Sequence, residues 1–207
     1  MARIAVVGPG SVGVFFAGHL AAAGHDVIAC ARRPFDRYVI ESAEFPLDIE
    51  ATVATDPEDI ESTVDWVLVC VKAHQTEGAA GWLAALCDQN TRVLVVQNGI
   101  EHHRVDPFVN GAPSIPAVVY CGAELVAPGR IEHLTSGRLI VPAEPFGQEL
   151  VELFAESQAE LRPSGNFATH QWRKLSMNIM ANGLTALTRR KMGVVTEPGV
   201  KPIAIAL

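Results

Sequence analysis

Lys174, Asn178 and Asn182 recur at every fourth position near the carboxyl end of the chain, among the apolar residues Leu175, Met177, Ile179, Met180 and Leu184. On a helix this spacing places an amine and two carboxamides on one stripe. Such side chains need polar partners on so apolar a helix. A ligand cleft supplies them, and so does neighbouring backbone in a core, so the spacing alone leaves both readings open. At the amino end, Gly8-Pro9-Gly10-Ser11-Val12-Gly13 has the G-x-G-x-x-G spacing. Between a strand and a helix, that loop makes a tight turn, admits a pyrophosphate and lets the helix pack closely. The anion then lies on the free N–H groups at the positive end of the helix dipole.

The end of the next strand discriminates between dinucleotides, because NAD-binding chains tend to place an acidic residue there for the ribose 2′-hydroxyl. Here the residues are Ala31-Arg32-Arg33. A guanidinium suits a 2′-phosphate through charge-assisted hydrogen bonds, which an acidic side chain would repel. The expected cofactor is NADP(H) rather than NAD(H), the alternative being a solvated basic pair on a loop. Two further strand ends carry polar residues, Lys72-Ala73-His74-Gln75 and Gln97-Asn98-Gly99. In open α/β sheets ligands bind beyond the carboxyl ends of the strands, so both segments are expected to face the cofactor.

The elements that must position these residues are legible in outline. Short, continuously apolar runs at residues 4–7, 27–30, 66–71 and 93–96 read as strands buried on both faces. Between them, residues 11–23 read as a helix stopped by Gly24, and 76–86 as another. Alternation of this kind predicts a doubly wound parallel sheet of the Rossmann type. After about Ser114, turn signals at Pro128-Gly129 and Ser136-Gly137 predict antiparallel hairpins on the sheet edge. Residues 148–161 and 170–187 read as helices, and 201–207 as the start of another. Pro163-Ser164-Gly165-Asn166 is the expected boundary between a dinucleotide-binding domain, 1–166, and the beginning of an all-helical second domain, 167–207.

Composition restricts the function classes. The chain has 207 residues, 49% hydrophobic, with a formal charge of −7 and no basic block, which excludes the electrostatic footprint of a nucleic-acid binder. Cys30, Cys70, Cys87 and Cys121 are far apart, with neither zinc spacing nor disulfide density, and read as reduced core residues. No metal site is expected. No leader is visible at the amino end, and no apolar run approaches the ~20 residues a bilayer crossing needs. The expectation is a cytoplasmic protein without a membrane partner.

With the glycine loop, Arg32, Val71-Lys72-Ala73-His74-Gln75, Asn98-Gly99 and the segment from Trp172 through Lys174 and Asn178 to Asn182, the sequence resembles the ketopantoate reductases, or 2-dehydropantoate 2-reductases. The resemblance extends over essentially the whole chain. It implies NADPH-dependent reduction of 2-dehydropantoate in the route to pantothenate and coenzyme A. By position it implies that Arg32 and Lys72 grip the 2′-phosphate, that Gln75 and Asn98 line the cleft, that Lys174 is catalytic, and that Asn98, Asn178 and Asn182 bind the 2-keto acid. The lysine-asparagine helix is shared with 3-hydroxyacid dehydrogenases, so Lys72 and Asn98-Gly99 carry most of the distinction. The family's helical domain continues past the position of Leu207 and contributes a glutamate and a serine to the substrate site. The corresponding expectations are a homodimer, and cofactor binding without full turnover by residues 1–207 alone. A reductase of another 2-keto acid, or a non-catalytic NADP(H)-binding paralogue, are the alternatives.

Overall fold

Every residue of β1 (Arg3–Val7) after Arg3 is buried, because the strand lies inside a sheet covered on both faces. The computed structural model describes residues 1–207. From β1 the chain enters α1 (Ser11–Ala22) and β2 (Asp26–Cys30), then a hairpin of β3 (Arg37–Glu41) and β4 (Leu47–Glu50). It continues through β5 (Thr52–Ala54), β6 (Trp66–Val69), α2 (Ala80–Leu86), β7 (Arg92–Val95) and β8 (Ser114–Pro116). Six of these strands form one sheet in the order β5-β2-β1-β6-β7-β8, every pair parallel.

Alternate side chains of the central strands enter two separate cores. Ile4, Val6, Leu68 and Leu94 pack with Val14, Phe15, Phe16 and Leu20 of α1. Ala5, Val7, Val67, Val69, Val93 and Val95 pack on the opposite face with Leu83 and Leu86 of α2 and with Val105 and Val109. This is the expected Rossmann-type sheet.

Of the hairpins expected after Ser114, the one turning at Pro128-Gly129 is present and belongs to a second sheet. β9 (Val118–Ala127) and β10 (Arg130–Pro142) pair antiparallel through the turn at Pro128-Gly129. β10 then pairs in parallel with β3 and with β11 (Glu160–Ser164), giving the order β11-β10-β3-β4. This second sheet covers the outer side of α1, which is why Gly13 through Leu20 are all buried.

Several local expectations are corrected. Ser136-Gly137 is not a turn but an irregularity within β10, where the pairing register with β9 shifts and Ser136 takes φ +54°. Glycine is required at 137 because a Cβ there would run into the Phe15 ring. The helix expected over 148–161 ends early: α3 spans Gly147–Phe154, and Leu161 and Pro163 lie in β11. Proline is tolerated there because β11 is an edge strand. Of the helix expected over 76–86, only Ala80–Leu86 is α-helical, preceded by 3-10 turns at Ala73–Gln75 and Glu77–Ala79. The Thr76 hydroxyl donates to the Ala73 carbonyl and favours the tighter turn.

The chain divides into two compact units, Met1–Phe167 and Ala168–Leu207. Nearly all of α4 (Phe167–Thr188) lies in the second, with a 3-10 segment at Met192–Thr196 and α5 (Lys201–Ala206). Val194, Ala204, Ala181 and Leu184 are buried, whereas Trp172, Met177, Ile179, Leu187, Ile203 and Ile205 are exposed. No helix is long and apolar enough to cross a membrane.

Candidate functional site

Four central strands of the parallel sheet end in register. Val7 stands opposite both Cys30 and Val69, and Val69 opposite Val95. The segments beyond these ends therefore share one edge. They are the glycine loop after β1, Ala31-Arg32-Arg33 after β2, Cys70 to Gln75 after β6, and Val96 to Gly99 after β7. Arg32, Lys72, Gln75 and Asn98 are thus brought to the same edge as Gly8 to Gly13. Arg32, Lys72 and Asn98 are exposed, and Gln75 is half-buried. β2 and β6 flank β1, so Arg32 and Lys72 follow strands about 10 Å apart, on opposite sides of the glycine loop.

The three glycines meet different demands. Gly8 has φ +85°, and a Cβ on it would stand 2.5 Å from Val71 Cγ1 and 2.9 Å from Val71 N. A Cβ on Gly13 would lie 2.7 Å from the Gly8 carbonyl oxygen and 3.2 Å from Cys70 Cβ, so this position sets the closeness of helix to strand. A Cβ on Gly10 would meet nothing within 4 Å. The opening at Gly10 leaves bare backbone beside the start of α1, a cradle that a side chain would fill. Gly10 caps the helix without a side-chain hydrogen bond, and the first intrahelical bond runs from Val14 N–H to the Gly10 carbonyl at 2.8 Å. The N–H groups of Ser11, Val12 and Gly13 precede it, and no acidic residue occupies the first turn. Pro9 gives the loop stiffness without adding a donor. These residues fit the pyrophosphate of a dinucleotide.

Gln97, quoted with Asn98 but given no role from the sequence, is buried behind this edge and bonds to the loop after β6. His102, also buried, hydrogen-bonds the backbone at Gln97 and Ile100; burial lowers its pKa, so its ring stays neutral at physiological pH. The signal for Gln97 was a polar side chain just past the end of a wholly apolar strand. Burial pushes the thiols of Cys30, Cys87 and Cys121 up to about 12 and raises that of Cys70 as well, which removes thiolate chemistry from the candidates. All four cysteines are free thiols.

In the second unit, the expected stripe divides. Lys174 and Asn178 are half-buried, whereas Asn182 is exposed. The helix turns about 100° per residue, so three residues four apart drift round its axis and do not share one environment. Burial lowers the Lys174 pKa below that of a free lysine, the direction that makes an amine a better proton donor near neutrality.

A sequence model described as ketopantoate reductase PanE/ApbA matches residues 4–145. The 2-dehydropantoate 2-reductase of Caulobacter vibrioides is 38% identical over 211 residues, an alignment covering 100% of this chain and 71% of that protein. The Mycobacterium tuberculosis 2-dehydropantoate 2-reductase is 34% identical, covering 97% and 68%. The crystal structure of a PanE/ApbA family ketopantoate reductase from Ralstonia eutropha superposes with a TM-score of 0.85 at 31% identity, covering 98% of this chain and 70% of that one. The family match runs through the glycine loop and the loops of Lys72 and Asn98, and the relatives align along nearly the whole length. This chain belongs to the ketopantoate reductase family.

Proposed function

We propose that this protein reduces 2-dehydropantoate to pantoate with NADPH, in the cytosol, as a step toward pantothenate and coenzyme A. The fold and the family imply a nicotinamide dinucleotide. The choice of its phosphorylated form rests on one observation: two exposed cations, Arg32 and Lys72, flank the glycine loop at the carboxyl edge, and neither strand end carries an acidic residue.

In this reading Gly8, Pro9, Gly10, Ser11, Val12 and Gly13 hold the pyrophosphate through backbone N–H groups, and Arg32 and Lys72 bind the 2′-phosphate by charge-assisted contacts. Gln75 and Asn98 line the cofactor edge. When bound, the dinucleotide supplies the hydride. Lys174 stabilises or protonates the oxygen that gains negative charge, aided by its lowered pKa. Asn98, Asn178 and Asn182 orient the hydroxyl and carbonyl groups of the substrate without adding charge. Residues 1–166 are the NADP(H)-binding domain, and residues 167–207 belong to the substrate and dimerisation domain. The exposed Trp172, Met177 and Ile179 on α4 support association as a homodimer.

Steady-state oxidation of NADPH with ketopantoate, 2-ketoisovalerate and oxaloacetate as competing substrates tests the reading. A clearly higher kcat/KM for ketopantoate is expected. A preference for either other acid would overturn the substrate assignment.

A further inference from the structure

The loop after β6, which carries Lys72, is held from behind by a side chain that the cofactor reading leaves unassigned. Gln97 is 6% exposed, and its Nε2 donates both to the Val71 carbonyl at 3.0 Å and to Thr76 Oγ1 at 3.1 Å. Thr76, 3% exposed, donates in turn to the Ala73 carbonyl at 2.9 Å. The Gln75 N–H closes the turn on the Lys72 carbonyl at 2.7 Å. The backbone is therefore pinned immediately before Lys72, immediately after it, and again at the end of the loop. Lys72 itself is extended, with φ −63° and ψ 144°, and its side chain is exposed. Val71, the first residue pinned, is also the one that Gly8 packs against.

A lysine on a free loop is a poor discriminator, because the ordering of loop and side chain opposes each contact it makes. One whose backbone is already fixed loses less freedom on binding a phosphate. We propose that Gln97 is a positioning residue for cofactor selectivity: by bracing residues 71–76 it holds Lys72 where the 2′-phosphate is received. The buried amide makes the loop after β6 and the loop after β7 a single braced unit, so selectivity depends on a residue that itself touches no phosphate. This inference rests on the NADPH reading above.

The test is fluorescence titration of the full chain with NADPH and NADH, for the wild type, Lys72→Ala, Gln97→Met, Thr76→Val and Thr76→Ser. Methionine keeps the volume of glutamine and removes both donors. The NADPH-over-NADH preference should fall by about tenfold in Gln97→Met, the size of one charge-assisted contact. NADH affinity should stay nearly unchanged, which also reports that the variant is folded. Thr76→Val should shift the preference in the same direction, and Thr76→Ser should retain it. A preference that survives Gln97→Met but is lost in Lys72→Ala would overturn the positioning role while leaving the cofactor reading intact. Equal weakening of both cofactors would assign Gln97 to the fold of the loop and overturn the proposal. Equal wild-type affinities would overturn the NADPH reading itself, and the proposal with it.

Discussion

The ring of Phe15 in α1 is stacked on that of His133 in β10, with centroids 4.5 Å apart and planes 24° from parallel. His19, one helical turn along, meets Phe15 edge-on at 4.6 Å, and its Nε2 is buried without a hydrogen-bond partner. This aromatic seam joins the helix behind the glycine loop to the second sheet. It also places an imidazole where protonation is opposed by burial and by His133, lowering its pKa from 6.5 to about 4.

Acid should therefore weaken the fold through His19. The folded pKa lies below the unfolded one, so the unfolded chain binds the proton first, and stability falls as pH drops from about 6.5 to about 4 and levels off below that. The loss corresponds to roughly 3 kcal/mol by linkage. His19→Leu should cost little at pH 7, because it removes an unpaired buried polar group, and should flatten this window. Urea unfolding of both proteins across the range checks it, and parallel pH curves would exclude His19 as the source.

Gly10 and Gly13 should separate binding from folding. Gly10→Ala meets open space at φ −76°, so it should leave the melting temperature unchanged while its methyl group obstructs the pyrophosphate and weakens NADPH binding. Gly13→Ala forces a methyl against the Gly8 carbonyl and should destabilise the protein by about 1 to 3 kcal/mol. Calorimetry together with cofactor titration distinguishes the two. A large fall in melting temperature for Gly10→Ala would contradict the open cradle.

Arg32→Ala should erode the preference for NADPH over NADH by roughly tenfold or more, the equivalent of ~1.5 to 3 kcal/mol for a charge-assisted contact. Raising the salt concentration should narrow the wild-type preference, because Arg32 is exposed and its charge is screened. Paired titrations at two ionic strengths supply the comparison. A variant that keeps its full preference would point to a solvated basic pair.

Lys174→Ala should depress kcat by several powers of ten while hardly altering the NADPH dissociation constant, because charge on the substrate oxygen develops only in the transition state. Single-turnover rates beside equilibrium titrations resolve the two. Substantial loss of NADPH affinity in this variant would contradict the assigned division of labour.

How much was legible depended on how local the cause is. Ile4 to Val7, Trp66 to Val69 and Val93 to Val95 read as strands because burial on both faces demands unbroken apolar residues. Arg32, Lys72 and Asn98 could be placed at one edge from chain order alone, since each follows a strand of a parallel sheet. The hairpin of β3 and β4 and the strand β5 after it are not legible in the sequence, and β11 is divided there between the helix expected over 148–161 and the boundary expected at Pro163-Ser164; β3 and β11 take their places by pairing with β10, a partner distant in sequence, as Val39 does opposite Arg130. One signal was available: α1 is apolar on every side, and a helix without a polar face must be covered on every side.

By itself the sequence determined the parallel sheet, the glycine loop and the cations beside it, because strand burial, turn chemistry and chain order act within a few residues of each other. Tertiary structure alone decided what covers α1, which glycine is open and which is crowded, that Asn182 lies exposed while Lys174 and Asn178 are half-buried, and that Gln97 reaches the Lys72 loop. Each of these depends on contacts between segments remote in the chain, and local preference carries no record of which segment will arrive.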